Sequence, residues 1–431
     1  MKRAIDGSET RFHEYLDRLA NAIGHEDRHG PMQAYLTGLC LSGERKSIEP
    51  MAARVDPRHV PSKHQSMHHF IANAPWDDLA LLRVARMQVL EQMDRHGGVT
   101  AWIVDDTGIP KKGKHSVGVA RQYCGVLGKQ ENCQDAVSLT IANEAVSVPV
   151  AYRLYLPEEW ANDKSRRRAT GVPKDVKFLK KWQIALELID RSLDEGIPVA
   201  PVIGDPGYGN ATEFRDGLTE RKLLYVMGIS ENTTVWPPGE GPLPPVKRQG
   251  RGHPATRLRR DGTHHPLDVQ TLAESLPKKA WHDIAWREGT KGTMESRFAF
   301  LRIRPAHRDY DMHEPRGIEW LIIEWPRGEE APTKYWLSTM PADASAEQLV
   351  RLAKIRWRIE RDYEELKDEF GLDHYEGRGW KGFHHHATMC IAAYAFLAAE
   401  RARFSPPEPL SFLRAPPIPE GFRPRGSPSP T

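Results

Sequence analysis

Cysteine is scarce in this 431-residue sequence. The four present, Cys40, Cys124, Cys133 and Cys390, form no C-x-x-C pair. That spacing argues against a zinc site and a disulfide scaffold and favours a reducing cytosol. Long apolar runs are missing as well. The longest, Met389 to Ala399, falls short of the about 20 residues a bilayer span needs, and no apolar signal-peptide core stands at the N-terminus. A soluble protein with no membrane partner and no export segment is expected. Nor does one sign of charge dominate: 61 Lys and Arg face 58 Asp and Glu, a net +3. This is not the composition of a wholly basic nucleic-acid protein, so any DNA binding must come from local basic patches. The length exceeds one average domain and allows two or three, with a substantial core.

What the sequence does contain is acids and cations in informative places. Arg356-Trp357-Arg358-Ile359-Glu360, followed by Lys367, puts a carboxylate between two cations on one face of an expected helix. Positions 356, 360, 363 and 367 keep helical spacing, and Leu352, Ile355, Ile359, Leu366 and Phe370 form a separate apolar stripe. A carboxylate flanked in this way suits holding a metal ion against a phosphate. Asp105 and Asp106 end the apolar run Ala101-Trp102-Ile103-Val104, and Asp205 ends the run from Val199 to Gly204. Acids at strand ends can converge across a sheet, however far apart in sequence. Strand alternation sends Asp105 and Asp106 to opposite faces, so the two are not expected to share one site. The plainer readings are a turn or helix cap for the aspartate pair, an ordinary Asp-Pro-Gly turn at Asp205, and a solvated i, i+4 ion pair for Glu360.

Together these segments resemble the DDE transposases of bacterial insertion sequences, over roughly residues 30–400. The resemblance is carried by Asp105 to Ser116, Gln122-Tyr123-Cys124-Gly125, Arg153-Leu154-Tyr155-Leu156-Pro157, Gly204 to Gly209, Arg356 to Lys367 and Asp373 to Arg378. That family's third-acid signature is Tyr, two residues, Arg, three residues, Glu, six residues, Lys. Arg356, Glu360 and Lys367 fit it, whereas Ala353 stands at the tyrosine position. The resemblance implies an α/β fold: an RNase H-like mixed sheet flanked by helices, with a helical N-terminal DNA-binding region and a β-rich insertion domain. It implies Asp105, Asp205 and Glu360 as catalytic acids and as ligands of two Mg²⁺ ions, with Mn²⁺ able to substitute. Asp105 would bridge both ions, and Asp205 and Glu360 would each complete one site. The family's Asp-x-Thr pattern selects Asp105 over Asp106. Two such ions roughly 4 Å apart activate the attacking oxygen and neutralise the charge that builds on phosphorus and the leaving oxygen. Mg²⁺ prefers a few carboxylates plus waters and substrate phosphate to a full protein cage. Also implied are cutting of double-stranded DNA at element ends, transfer of the freed 3′-OH into target DNA, a homodimer on DNA, and a place in the bacterial cytoplasm near the nucleoid.

Along the chain, five segments are expected. Residues 1–97 read as a helical DNA-binding region, with Phe12, Tyr15, Leu16, Leu19 and Ile23 at helical spacing and Arg58, His59, Lys63, His64, His68 and His69 forming a basic stretch. Residues 98–232 read as the first part of the core: strands at 101–105, 136–142 and 146–156, a helix at 175–195, a strand at 199–204, a helix at 212–219 and a strand at 223–229. Residues 233–342 read as the β-rich insertion, with a basic 236–266 stretch and strands at 296–304, 319–325 and 334–338. Residues 343–404 hold the last helices with Glu360. Residues 405–431 are Pro-rich and read as a disordered tail.

The remaining candidates concern DNA. Arg356 and Lys367 are expected to hold phosphate near the cleavage point, by a bidentate fork and a point charge respectively. Lys111, Lys112 and Lys114 can position DNA without reading its sequence. Trp236 is a candidate for stacking on an extruded base, against a plainer packing role. His384-His385-His386 reads as a polar helix start, since adjacent helical histidines do not converge on one metal ion. Two functions compete with transposition: a catalytically silent, transposase-derived DNA-binding protein, for which Ala353 speaks, and a metal-dependent DNA nuclease without strand transfer.

Overall fold

The computed structural model describes residues 2–245, 256–289 and 292–404. Part of the basic 236–266 stretch, including Lys247, Arg248 and Arg251, and the Pro-rich tail over 405–431 lie outside the described residues. The chain divides into two compact units, Met1–Ala200 with Trp357–Thr431, and Pro201–Arg356.

The first unit opens with helices α1 (Lys2–Ile23), α2 (His29–Cys40), α3 (Ile48–Val55), α4 (Val60–Ala72) and α5 (Asp78–Met93). The helical spacing in α1 buries Tyr15, Leu16, Leu19 and Ile23. Asp77 starts α5 as an N-cap, accepting from the Leu79 N–H at 3.0 Å. Strands β1 (Ala101–Pro110), β2 (Ala120–Cys124), β3 (Lys129–Ala142) and β4 (Ser147–Leu154) follow. β3 pairs antiparallel with the other three. Asn143 turns the chain between β3 and β4, its side chain accepting from the Ala145 and Val146 N–H groups. Then come α6 (Glu158–Asn162), α7 (Lys164–Thr170) and α8 (Lys181–Asp194). α8 begins six residues later than its apolar spacing suggests, and at its first turn Gln183 Oε1 accepts from the Lys180 N–H at 2.9 Å.

In the second unit, β5 (Val202–Gly204) leads into α9 (Pro206–Gly209), α10 (Thr212–Glu220) and β6 (Tyr225–Ile229), which runs parallel to β5. β7 (Thr234–Trp236), β8 (Leu267–Asp268), α11 (Val269–Glu274), β9 (His282–Gly289), β10 (Gly292–Pro305), β11 (Glu319–Trp325), β12 (Lys334–Ser338) and α12 (Ala346–Lys354) complete it. The later strands are not a separate sheet. β12 pairs with β6, β11 with β12, and β10 with β11, all antiparallel, so they extend the sheet begun by β5 and β6.

The chain returns to the first unit with α13 (Trp357–Asp368) and α14 (Trp380–Phe404). With the short β2 and the small helices α6, α7 and α9 set aside, β1, β3, β4, α8, β5, α10 and β6 follow the RNase H-like order along the chain, within a mixed α/β fold.

α14 is apolar nearly all round, as a helix enclosed by others must be. His385 and His386 are buried at its start, and the polar helix start expected there is corrected. The His385 ring stacks on Trp76 with centroids 3.7 Å apart. His386 Nε2 donates to the Gly371 carbonyl at 2.9 Å, which leaves Nδ1 to accept from the Tyr35 hydroxyl at 2.8 Å. Burial pushes the His386 imidazole down to about 4. A histidine held neutral in the fold but titrating normally when unfolded stabilises the fold above the unfolded value. That stability is lost as pH falls from about 6.5 towards 4. Urea unfolding should therefore lose about 2 kcal/mol between pH 7 and pH 5 from this group alone. A His386→Gln variant should show a smaller loss over the same interval; an equal loss would assign the acid sensitivity elsewhere.

Candidate active site

Asp105 lies in the middle of β1 rather than at its end. β3 pairs with β1 over its whole length, from Ala101 opposite Ala142 to Pro110 opposite Cys133. The ladder therefore carries the strand past the aspartates, and the loop expected straight after them begins only at Lys111. Asp105 is 9% exposed and stands opposite Ser138.

The helix expected through Leu352 to Phe370 is two helices. α12 ends at Lys354, Ile355 and Arg356 form a turn, and α13 begins at Trp357. The two halves of the apolar stripe are buried in different units: Leu352 in one, Ile359 and Leu366 in the other. Arg356 consequently precedes α13 instead of sharing a helical face with Glu360, Tyr363 and Lys367.

α13 is fastened to β1 at the aspartate. Ser138 Oγ and the Tyr363 hydroxyl are 2.6 Å apart, and the Tyr363 hydroxyl donates to the Asp105 carbonyl at 3.4 Å. One turn on, Lys367 Nζ donates to the Gly108 carbonyl at 3.0 Å. Burial, and then the charge of Asp105, hold the Tyr363 phenol well above its ordinary range. Burial pulls the Lys367 ammonium below its usual value. Lys367, expected to hold phosphate, is thus a buried side chain that clamps the β1 backbone. Asp362, on the adjacent flank of α13, accepts from Ser147 Oγ at 2.6 Å and from the Tyr394 hydroxyl at 2.7 Å. Glu360 sits one turn before Tyr363 and is exposed. The structure therefore brings the Glu360 helix onto the strand that carries Asp105.

Asp205 belongs to the second unit. It follows β5 and caps α9, accepting from the Tyr208 N–H at 3.2 Å. The Gly207-Tyr208-Gly209 part of this motif has a steric cause. A Cβ on Gly209 would lie 1.8 Å from the Gly228 carbonyl oxygen, so only glycine lets α9 approach β6 so closely.

On the α8 side, Asp106 accepts from Lys181 Nζ at 2.7 Å, and the same ammonium bonds the buried Asp135. Burial, and then the Asp106 charge, push the Asp135 carboxyl up to about 7. The sequence reading missed this cluster. An acid at the start of the buried half of β3 was the available signal for Asp135; Lys181, a surface-like residue at a helix start, offered none.

The other DNA candidates divide. Lys112 and Lys114 are exposed in the loop after β1. Lys111 instead donates to the Tyr375 and Asp373 carbonyls at 2.7 and 3.3 Å, and burial lowers it to about 8. Trp236 is fully buried, donates to Asp309 Oδ2 at 2.6 Å and stacks on His264 at 4.7 Å. A stacking role is corrected to packing, since no face of its ring is open to a base. Among the described residues, no three His, Cys, Asp or Glu side chains gather closely enough to hold a metal ion. Among them, too, no helix is long and apolar enough to cross a membrane.

A family model described as DDE superfamily endonuclease matches residues 18–293. The chain belongs to that family. The matched stretch carries Asp105 and Asp205 and ends before Glu360. The chain is also 30% identical over 202 residues to a protein named "Probable transposase for insertion sequence element IS701" from Microchaete diplosiphon. That match covers 47% of this chain and about half, 49%, of the relative. Membership in an endonuclease family gives the fastening of α13 to β1 a chemical context, because it joins the strand of one candidate acid to the helix of another. Removing the Tyr363 hydroxyl should leave the buried Ser138 hydroxyl without its partner. A Tyr363→Phe variant should lose about 1–2 kcal/mol by denaturant titration, and a wild-type midpoint would show that this bridge contributes nothing.

Proposed function

We propose that this DDE superfamily endonuclease is a transposase, one that cuts double-stranded DNA at the ends of an insertion sequence and joins the freed 3′-OH to target DNA. The observation that carries the reading is the docking of α13 on β1 at Asp105 through Tyr363 and Lys367. The family match and the name of the relative support it.

Asp105, Asp205 and Glu360 are the acids we assign to catalysis, the first and last from both motif and packing, Asp205 from its motif. Their carboxylate oxygens are hard donors of the kind Mg²⁺ and Mn²⁺ take, and Mg²⁺ commonly uses one or two carboxylates with water and substrate phosphate. These three acids are the residues that would hold a divalent ion. When bound, such ions acidify the attacking hydroxyl or water and neutralise charge at the scissile phosphate. The chain's own work is positioning. Tyr363 and Lys367 hold β1 and α13 in register, so the Asp105 carboxylate does not swing with the strand. Lys112, Lys114 and Arg356 contact phosphates, as charge-assisted donors that set DNA position. Two element ends call for two copies of the chain, so we expect a homodimer on DNA.

Incubating a labelled duplex from an element end with Mg²⁺ tests the reading. Wild-type protein should nick or cut at a defined position and yield strand-transfer products. Glu360→Gln and Asp105→Asn should lower cleavage at least about a thousandfold while binding persists, as expected when a group acting on the reacting phosphate is removed. Tight binding without cleavage by the wild type, in Mg²⁺ or Mn²⁺, would instead favour the silent DNA-binding derivative. Cleavage without joined products would favour the nuclease.

A further inference from the structure

Three segments of the first unit that are distant in sequence are built into one surface. The Val117 N–H donates to the Arg378 carbonyl at 3.0 Å, and Lys111 Nζ holds the Tyr375 carbonyl. The Trp160 indole donates to the Val119 carbonyl at 2.7 Å. The Arg166 guanidinium lies over the Trp160 ring at 3.7 Å and reaches the Lys114 carbonyl at 3.5 Å. These contacts tie the loop after β1, the α6–α7 segment and the Asp373–Gly379 loop to one another.

Five cations stand exposed on these segments: Lys112, Lys114, Lys164, Arg168 and Arg378. Among the described residues none of the five makes an ion pair. Their acidic neighbours are mostly engaged. Glu376 pairs with Arg45 at 2.6 Å, Glu159 lies 3.7 Å from Arg166, and Asp163 caps α7 through the Ser165 and Arg166 N–H groups. Exposed Glu158 on α6 and half-buried Asp373, 3.7 Å from His374, are outnumbered. Elsewhere in the chain arginines are commonly neutralised, as Arg153 is by Glu187 and Arg316 by Asp216. A chain of net charge only +3 has therefore left one anchored surface uncompensated. Like charges held together repel each other, and a polyanion relieves that repulsion while releasing its own counterions.

We infer that this surface is a backbone-binding platform for duplex DNA, which grips phosphates beside the cleavage point without reading bases. It rests on the DNA-endonuclease reading and adds α7 and Arg378 to the lysines of the loop after β1. Anchoring matters to its strength. The loop is held by buried contacts at both ends, so little conformational freedom is lost when DNA binds.

The test uses the full chain, a short random duplex without element ends, and EDTA to prevent cleavage. Binding is measured between about 50 and 200 mM salt. Replacing the five cations together by Ala should weaken binding about tenfold or more, and should flatten the log–log salt slope by about one for each phosphate no longer neutralised. Swapping each Lys for Arg and each Arg for Lys should keep the slope, with an unchanged thermal midpoint confirming the fold in both variants. An Ala variant with wild-type affinity and slope would overturn the platform while leaving the cleavage assay and its Glu360 result standing. A wild type that binds no duplex at low salt would overturn both readings at once.

Discussion

The fastening of α13 to β1 is the constraint on which the candidate site depends. A helix laid on a sheet by apolar contacts alone can slide, because the hydrophobic effect has no direction. Here two side chains on successive turns donate to main-chain carbonyls of one strand, Tyr363 to Asp105 and Lys367 to Gly108. Asp362 adds a second line of fixation to Ser147 and Tyr394. Directional bonds on two flanks set both the height and the rotation of α13. Whatever Glu360 does, it does from a helix that cannot easily shift against the strand of Asp105.

β1 also keeps two adjacent acids chemically apart. Alternation puts Asp105 and Asp106 on opposite faces, and the structure gives them different company. Asp106 shares the Lys181 ammonium with buried Asp135, so its charge is already partly neutralised on the α8 side. A divalent ion bound there would have to compete with that ammonium. Asp106 is thereby committed to the α8 side of the strand.

Much of the fold was legible because its elements follow simple periodicities. The β3–β4 hairpin and the strands at 319–325 and 334–338 were marked by apolar runs between turn residues. What stayed hidden depended on partners. β1 extends to Pro110 because β3 continues beside it, a fact absent from the polar residues Asp106 and Thr107 themselves. The break at Ile355–Arg356 falls where one apolar stripe changes the core it packs into, so helical spacing continues across it unbroken. The burial of His385, His386 and Lys367 went unread for a single reason. Polar or amphipathic side chains look exposed in sequence, and burial becomes tolerable only once a carbonyl, hydroxyl or carboxylate is supplied from elsewhere. Asp105 and Glu360 stood out by motif, whereas Asp135 and Lys181 have no local pattern at all.

The same partner logic separates the lysines of the loop after β1. Lys111, Lys112 and Lys114 are near neighbours in sequence and identical in chemistry, yet their tasks diverge. Lys111 is drawn in by two carbonyls and spends its charge holding the Asp373–Tyr375 backbone. That fixation leaves Lys112 and Lys114 on the outside of a loop whose ends are anchored. A half-buried lysine here is thus what gives exposed lysines a defined position. The rigidity that steadies Asp105 from the α13 side is matched, further along the same strand, by rigidity under the cations that would meet DNA.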